Sequence, residues 1–228
     1  YGSERQAVSS NGFAGKKQNE MDKRIKNIIF DWGNVLIDVR PENFIEECKK
    51  VGVKFTNREV NSTHKAGFFL EHEMGVISDK QFRNEFRLCS SSNLTDEEID
   101  FIWNSMLGKV PLYKLELLVS LKRKYNLYLL SNTNSIHWNR YSGTVFSYNG
   151  LNVNDIFDGV YLSYMLHSSK PDERIFKMVI EDSGIDVNET LFVDDSLKNC
   201  YTAQRLGMEV LNYIPGSDLR YYLLKELE

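Results

Sequence analysis

Short apolar runs that end on polar residues set the pattern of this chain. Ile28-Ile29-Phe30 stops on Asp31, with Gly33-Asn34 close behind. Leu127-Tyr128-Leu129-Leu130 stops on Ser131-Asn132-Thr133-Asn134, and Leu191-Phe192-Val193 stops on Asp194-Asp195. Val160-Tyr161-Leu162-Ser163 and a short stretch over 209–213 complete the set. Unbroken aliphatic and aromatic runs of this length suit strands buried on both faces, the habit of parallel sheets. Gly33 and Asn34 tolerate left-handed backbone angles and predict a tight loop directly after the first strand.

Between the first two runs the periodicity changes. Pro41 opens a helix over 42–50, where its missing N–H is harmless. Residues 54 to 108 read as successive helices, with capping boxes at Ser78-Asp79-Lys80-Gln81 and Thr95-Asp96-Glu97-Glu98. Ile99, Ile102, Trp103 and Met106 form an apolar face at helical spacing. Beyond Pro111, helices over 112–119, 172–182, 196–206 and 217–228 alternate with the strands; Gly207 is a natural stop for the third. Alternation of this kind predicts an α/β fold, a parallel sheet covered by helices on both faces. The helical stretch 40–109 is then an insertion into a core made of 23–39 and 110–228.

Composition narrows the picture by exclusion. At 228 residues the chain suits one large domain or a core with an insert. With 28 basic and 32 acidic side chains the net charge is −4, which gives no electrostatic case for a nucleic-acid or anionic-membrane partner. The three cysteines, Cys48, Cys89 and Cys200, form no C-x-x-C pair, so free thiols are expected. No window reaches a membrane-spanning length, and residues 1–22 lack the apolar centre of a signal peptide. They read as a polar, disordered tail or cloning remnant, with Met21-Asp22-Lys23-Arg24 a second plausible start. A cytoplasmic location and a monomer or homodimer are the expectations.

Asp31, Ser131, Lys170 and the pair Asp194-Asp195 all stand at, or just beyond, the carboxyl ends of strands. In a parallel sheet these ends share one rim, where ligands bind. Taken singly, Ser131-Asn132 is a helix cap, Lys170 before Pro171 a solvated loop lysine, and the aspartate pair a surface cap. Taken together, they make a cleft suited to phosphoryl transfer. Adjacent carboxylates favour a hard ion such as Mg²⁺. A carboxylate can act as the covalent nucleophile, and a lysine, a serine hydroxyl and helix-start N–H groups can hold phosphate oxygens.

These segments resemble the four motifs of the haloacid dehalogenase (HAD) superfamily. Phe30-Asp31-Trp32-Gly33-Asn34-Val35-Leu36 corresponds to motif one, Leu130-Ser131-Asn132 to motif two, Lys170-Pro171 to motif three and Val193-Asp194-Asp195 to motif four. The resemblance covers 25–228 and implies a Rossmannoid HAD core with an inserted all-helical cap. It also implies a Mg²⁺-dependent phosphatase of small phosphate esters, acting through an aspartyl-phosphate. Asp31 takes the nucleophile position; Asp31, Asp194 and the Gly33 carbonyl hold the metal, with Asp195 orienting its waters or Lys170. Ser131, the Asn132 N–H and Lys170 bind the phosphoryl oxygens. Phe30 to Leu36, Glu73-Met74-Gly75-Val76-Ile77-Ser78 and Leu130 to His137 are also similar to bacterial α-D-glucose-1-phosphate phosphatases, which implies sugar phosphates, glucose 1-phosphate among them.

Gly33 departs from the family pattern, because most of its phosphatases carry a second Asp there to protonate the leaving alcohol. Losing that acid argues against a mutase and favours esters with good leaving groups; a non-catalytic phosphometabolite-binding protein is the alternative. The dehalogenase branch lacks the aspartate pair present here. In the cap, Glu71 or His72 is expected to face the substrate, weighed against an amphipathic helix with its charges in water. His137 with Asn134 is expected near the phosphate site, and Trp32 under the cap or in the core.

Overall fold

The computed structural model describes residues 25–53, 55 and 67–227. The expected tail and part of the expected cap, residues 54 and 56–66, lie outside them. Five parallel strands form one sheet in the order β3-β2-β1-β4-β5. They are β1 (Asn27–Phe30), β2 (Asn126–Ser131), β3 (Gly159–Leu162), β4 (Thr190–Asp194) and β5 (Glu209–Asn212). Strand β1 lies between β2 and β4, with Phe30 level with Leu129 on one side and Val193 on the other.

Successive strand residues point to opposite faces, and the two faces feed different cores. Ile28, Phe30, Leu127, Leu129, Leu191 and Val193 join one cluster, and Ile29, Tyr128, Leu130 and Phe192 join the other. Both clusters are closed by helices, which explains why these strands carry no alternating polar residues.

Among the described residues four helices precede residue 110: α1 (Pro41–Lys50), α2 (Phe68–Glu73), α3 (Asp79–Leu88) and α4 (Asp96–Asn104). Both capping boxes form, on Ser78 and Thr95. Phe44, Phe69, Phe82, Phe86, Ile99 and Trp103 bury themselves in a third cluster, distinct from the two on the sheet. The chain enters and leaves this region through paired segments: Arg40 N–H donates to Met106 O at 2.7 Å and Gly108 N–H to Asp38 O at 2.9 Å.

After Pro111 come α5 (Leu112–Leu121), then α6 (Ser135–Val145) and α7 (Val153–Ile156) between β2 and β3. Sequence periodicity assigns no element between Asn134 and Val160. Helix α6 splits its packing, Ile136 joining the cluster of the helical insertion while Trp138 and Tyr141 lie against the sheet's core, so no single aliphatic stripe marks it in the sequence. A single turn, α8 (Ser163–Leu166), follows β3. Then α9 (Glu173–Ser183) is capped by the Asp172 side chain and ends on Gly184 at φ 67°. α10 (Leu197–Arg205) and α11 (Leu219–Leu227) complete the chain.

Candidate active site

The register of the sheet builds the site. Because Phe30 pairs with Val193, the next residues of the two strands, Asp31 and Asp194, stand side by side, and Asp31 N–H donates to Val193 O at 2.9 Å. Ser131 ends β2 on the other flank of β1. The carboxyl ends of β1, β2 and β4 therefore meet at the point where the strand order reverses, the place where open α/β sheets bind ligands.

Lys170 ties the cluster together. Its Nζ lies 2.9 Å from Asp31 Oδ1 and 2.7 Å from Asp194 Oδ2, and donates to Leu130 O at 2.8 Å. Its side chain is 1% exposed, so this ammonium survives burial only through its two carboxylates. Burial pulls its pKa down, but Asp194 and Asp31 outweigh that and hold it charged, above its ordinary value. Asn132 grips the same residue from below: its Nδ2 donates to Lys170 O and its Oδ1 accepts from Lys170 N–H, both at 2.9 Å.

Asp31 Oδ1 also accepts from Trp32 N–H at 2.7 Å, whereas Oδ2 has no partner among the described residues. Burial first, then the charges of Asp194 and Asp195, push the Asp31 carboxyl up to about 8, against the pull of Lys170. Burial likewise raises Asp195. Asp194 is fully buried and spanned by Asn199, whose Nδ2 lies 3.0 Å from each carboxylate oxygen; Ser196 N–H donates to Oδ1 at 2.8 Å. Asn34 Nδ2 donates to Asp195 Oδ2 at 3.0 Å, from a backbone at φ 59°.

One ligand atom from each of Asp31, Asp194 and Asp195 lies within 4.8 Å of the others. Three converging carboxylates offset by one ammonium leave negative charge in a buried place, where burial first and the neighbouring aspartates second raise Asp31 and Asp195. A divalent hard cation relieves it, so the donor set fits Mg²⁺.

The other sequence candidates fall elsewhere. Glu71 is exposed. His72 is 1% exposed, stacked on Phe82 at 4.3 Å, with Nε2 2.9 Å from Asp79 Oδ1. Among the described residues neither contacts the aspartate cluster; His72 belongs to the helical core. His137 is buried against Trp103 at 4.6 Å, and Asn134 caps α6 by accepting from His137 N–H at 3.0 Å. Trp32 packs in the sheet's main core, edge-on to Trp138 at 5.5 Å, rather than under the helical insertion. Asn34 and Asn199 carry roles that sequence reasoning missed. Asn34 is visible there only as a loop former, and Asn199, five residues past Asp194, as one polar residue on an amphipathic helix.

Comparison with known proteins matches this geometry. A model of the haloacid dehalogenase-like hydrolase family matches residues 25–207. D-ribitol-5-phosphate phosphatase of Bacteroides thetaiotaomicron is 36% identical over 199 residues, 87% of this chain and 97% of that protein. A HAD family enzyme of the same organism was solved with magnesium and inorganic phosphate as an aspartate-to-alanine variant. It is 41% identical at a TM-score of 0.84, covering 87% of this chain and 98% of its own. A HAD-like family hydrolase from Porphyromonas gingivalis superposes at a TM-score of 0.82 with 33% identity, covering 90% and 98%. This chain belongs to the haloacid dehalogenase-like hydrolase family.

Proposed function

We propose that this protein is a Mg²⁺-dependent phosphatase of small phosphorylated sugars and polyols that works through a phosphorylated Asp31. The observation that carries the reading is Asp31 itself: a buried carboxylate with one oxygen fixed by Lys170 and Trp32 N–H and the other without a partner among the described residues. Such a carboxylate is oriented to attack phosphorus.

Ser131 Oγ, the Asn132 N–H and Lys170 Nζ would take the phosphoryl oxygens, with Lys170 already placed beside the nucleophile by Asn132 and Asp194. Asp31 Oδ2 attacks phosphorus and the ester oxygen departs. Gly33 offers no proton, so the departing oxygen takes its proton from water. Water then hydrolyses the acyl phosphate and restores Asp31. Asp31, Asp194 and the Gly33 carbonyl would hold Mg²⁺, with Asp195, steadied by Asn34, orienting its waters. When bound, Mg²⁺ supplies positive charge to the phosphoryl oxygens and relieves the carboxylate repulsion. Helices α1 to α4 act as a cap that shields the site from water.

The relative named for ribitol 5-phosphate supports a polyol or sugar phosphate. The missing acid at Gly33 supports esters with good leaving groups, so glucose 1-phosphate stands beside ribitol 5-phosphate as a substrate to test. The test is phosphate release, with and without EDTA, from a panel holding both esters and an aryl phosphate. Metal-dependent release is expected. Calorimetric binding of inorganic phosphate without release from any ester would instead make the chain a phosphometabolite-binding protein.

A further inference from the structure

The segment that follows Ser131 is gripped from the helical insertion, one residue after another. Ser163 Oγ accepts from Thr133 N–H at 2.9 Å and donates to Glu73 O on α2 at 2.6 Å, linking the two. Trp103 Nε1 on α4 donates to Asn134 Oδ1 at 3.4 Å. Asp79 Oδ1 on α3 accepts from Ser135 Oγ. Asn104 Oδ1 on α4 lies 3.0 Å from His137 Nδ1. The two bodies meet closely nearby: a Cβ on Gly75, at φ 64°, would stand 2.2 Å from Tyr164 O.

Asp79 is the charged member of this grip, and the helices do not need it for their own capping. Helix α3 is capped by Ser78, whose Oγ accepts from Gln81 N–H at 3.3 Å while Gln81 Oε1 accepts from Ser78 N–H at 2.9 Å. Helix α6 is capped by Asn134, not Ser135. Asp79 is instead held from behind by buried His72, Nε2 to Oδ1 at 2.9 Å. The His72 hydrogen bond, with Ser135 adding to it, keeps the Asp79 carboxyl below its ordinary range. A charged acceptor oriented by a buried histidine thus reaches across to a hydroxyl four residues beyond Ser131.

We propose that Asp79 is a positioning residue for the phosphate cradle: through Ser135 it fixes the turn that presents Ser131 Oγ and the Asn132 N–H. Phosphate affinity then depends on the helical insertion being seated on the core. The proposal rests on the reading of the site as a phosphate site, and its test includes an arm that needs no catalysis.

The experiment measures inorganic phosphate affinity by calorimetry in Mg²⁺, and KM and kcat on an active ester, for wild type, Ser135→Ala, Asp79→Asn and Asp79→Ala. Ser135→Ala removes one hydrogen bond and leaves His72 paired. It is expected to weaken phosphate binding about tenfold and to raise KM alike, with kcat changed less; one decade corresponds to about 1.4 kcal/mol, the worth of one charged hydrogen bond. Asp79→Asn keeps an acceptor Oδ1 for both partners and should stay within about threefold of wild type, whereas Asp79→Ala should match Ser135→Ala or exceed it. Phosphate affinity and KM unchanged in folded Ser135→Ala would overturn the proposal. So would an Asp79→Asn variant as impaired as Asp79→Ala. A wild type that binds phosphate yet releases none from any ester would sink the phosphatase reading, while the calorimetric arm would still decide the role of Asp79.

Discussion

Replacing Gly33 by aspartate should give the enzyme the leaving-group acid it lacks. The backbone accepts a side chain: a Cβ at Gly33 meets only Val39 Cγ2, at 3.4 Å, an ordinary van der Waals contact, and the Gly33 backbone is not left-handed. General acid catalysis is typically worth ~10²–10⁴-fold, or about 2.7–5.4 kcal/mol at 1.36 kcal/mol per decade. An acid introduced without evolved neighbours should reach the lower end, about 10²-fold in kcat/KM on an alkyl ester. The gain should be selective, because p-nitrophenolate leaves without a proton. The added charge lies near Asp31, Asp194 and Asp195, so the comparison belongs at saturating Mg²⁺. The assay is steady-state kcat/KM of wild type and Gly33→Asp on p-nitrophenyl phosphate and on ribitol 5-phosphate. The reasoning predicts that the ratio between the two esters narrows by about two decades. A folded variant in which both rates move together, or neither moves, would refute it.

The charge arithmetic of the site gives two further predictions. Asp31 is raised to about 8 without metal, so between its ordinary value of 3.8 and 8 the folded chain holds a proton that the unfolded chain has released. Stability of EDTA-treated protein should therefore fall as pH rises through that window, with Asp31 contributing at most about 1.4 kcal/mol per pH unit and Asp195 adding to it in the same direction. Mg²⁺ competes with that proton, so its stabilisation should grow with pH; urea melts near the two ends of the window, with and without Mg²⁺, check both signs. Lys170→Met strips the buried carboxylates of their cation and should cost about 3–5 kcal/mol in metal-free protein, partly restored by Mg²⁺ in the same melts, with turnover abolished.

Much of the fold is legible in the sequence, for a physical reason. Ile28 to Phe30 and Leu191 to Val193 are buried on both faces, so they are apolar throughout, and the first polar residue after each marks the rim. Asp31 and Asp194 therefore stand out as strand-end carboxylates from the residue pattern alone. Lys170 is visible only through its company, because a lysine before a proline is otherwise unremarkable and its burial depends on Asp31 and Asp194, both distant along the chain. His72 shows the limit in the other direction. Helical spacing puts Phe69 and His72 on one stripe, but periodicity does not say whether that stripe meets substrate or Phe82. The same ambiguity hides α6, where His137 serves the seam with α4 while Trp138 and Tyr141 pack on the sheet's core, so no aliphatic stripe marks the helix. Asn34 and Asn199 escape because an amide that orients a carboxylate has no signature beyond its position.

The central claim is that Asp31 is phosphorylated during turnover. It is tested most directly by acid-quenching a single turnover in Mg²⁺ and mapping the phosphoryl mass increment on the chain. The account predicts a transient increment on the peptide carrying Asp31, absent from Asp31→Asn, which should also release no phosphate. An increment on another residue, or an Asp31→Asn variant that still turns over, would contradict it.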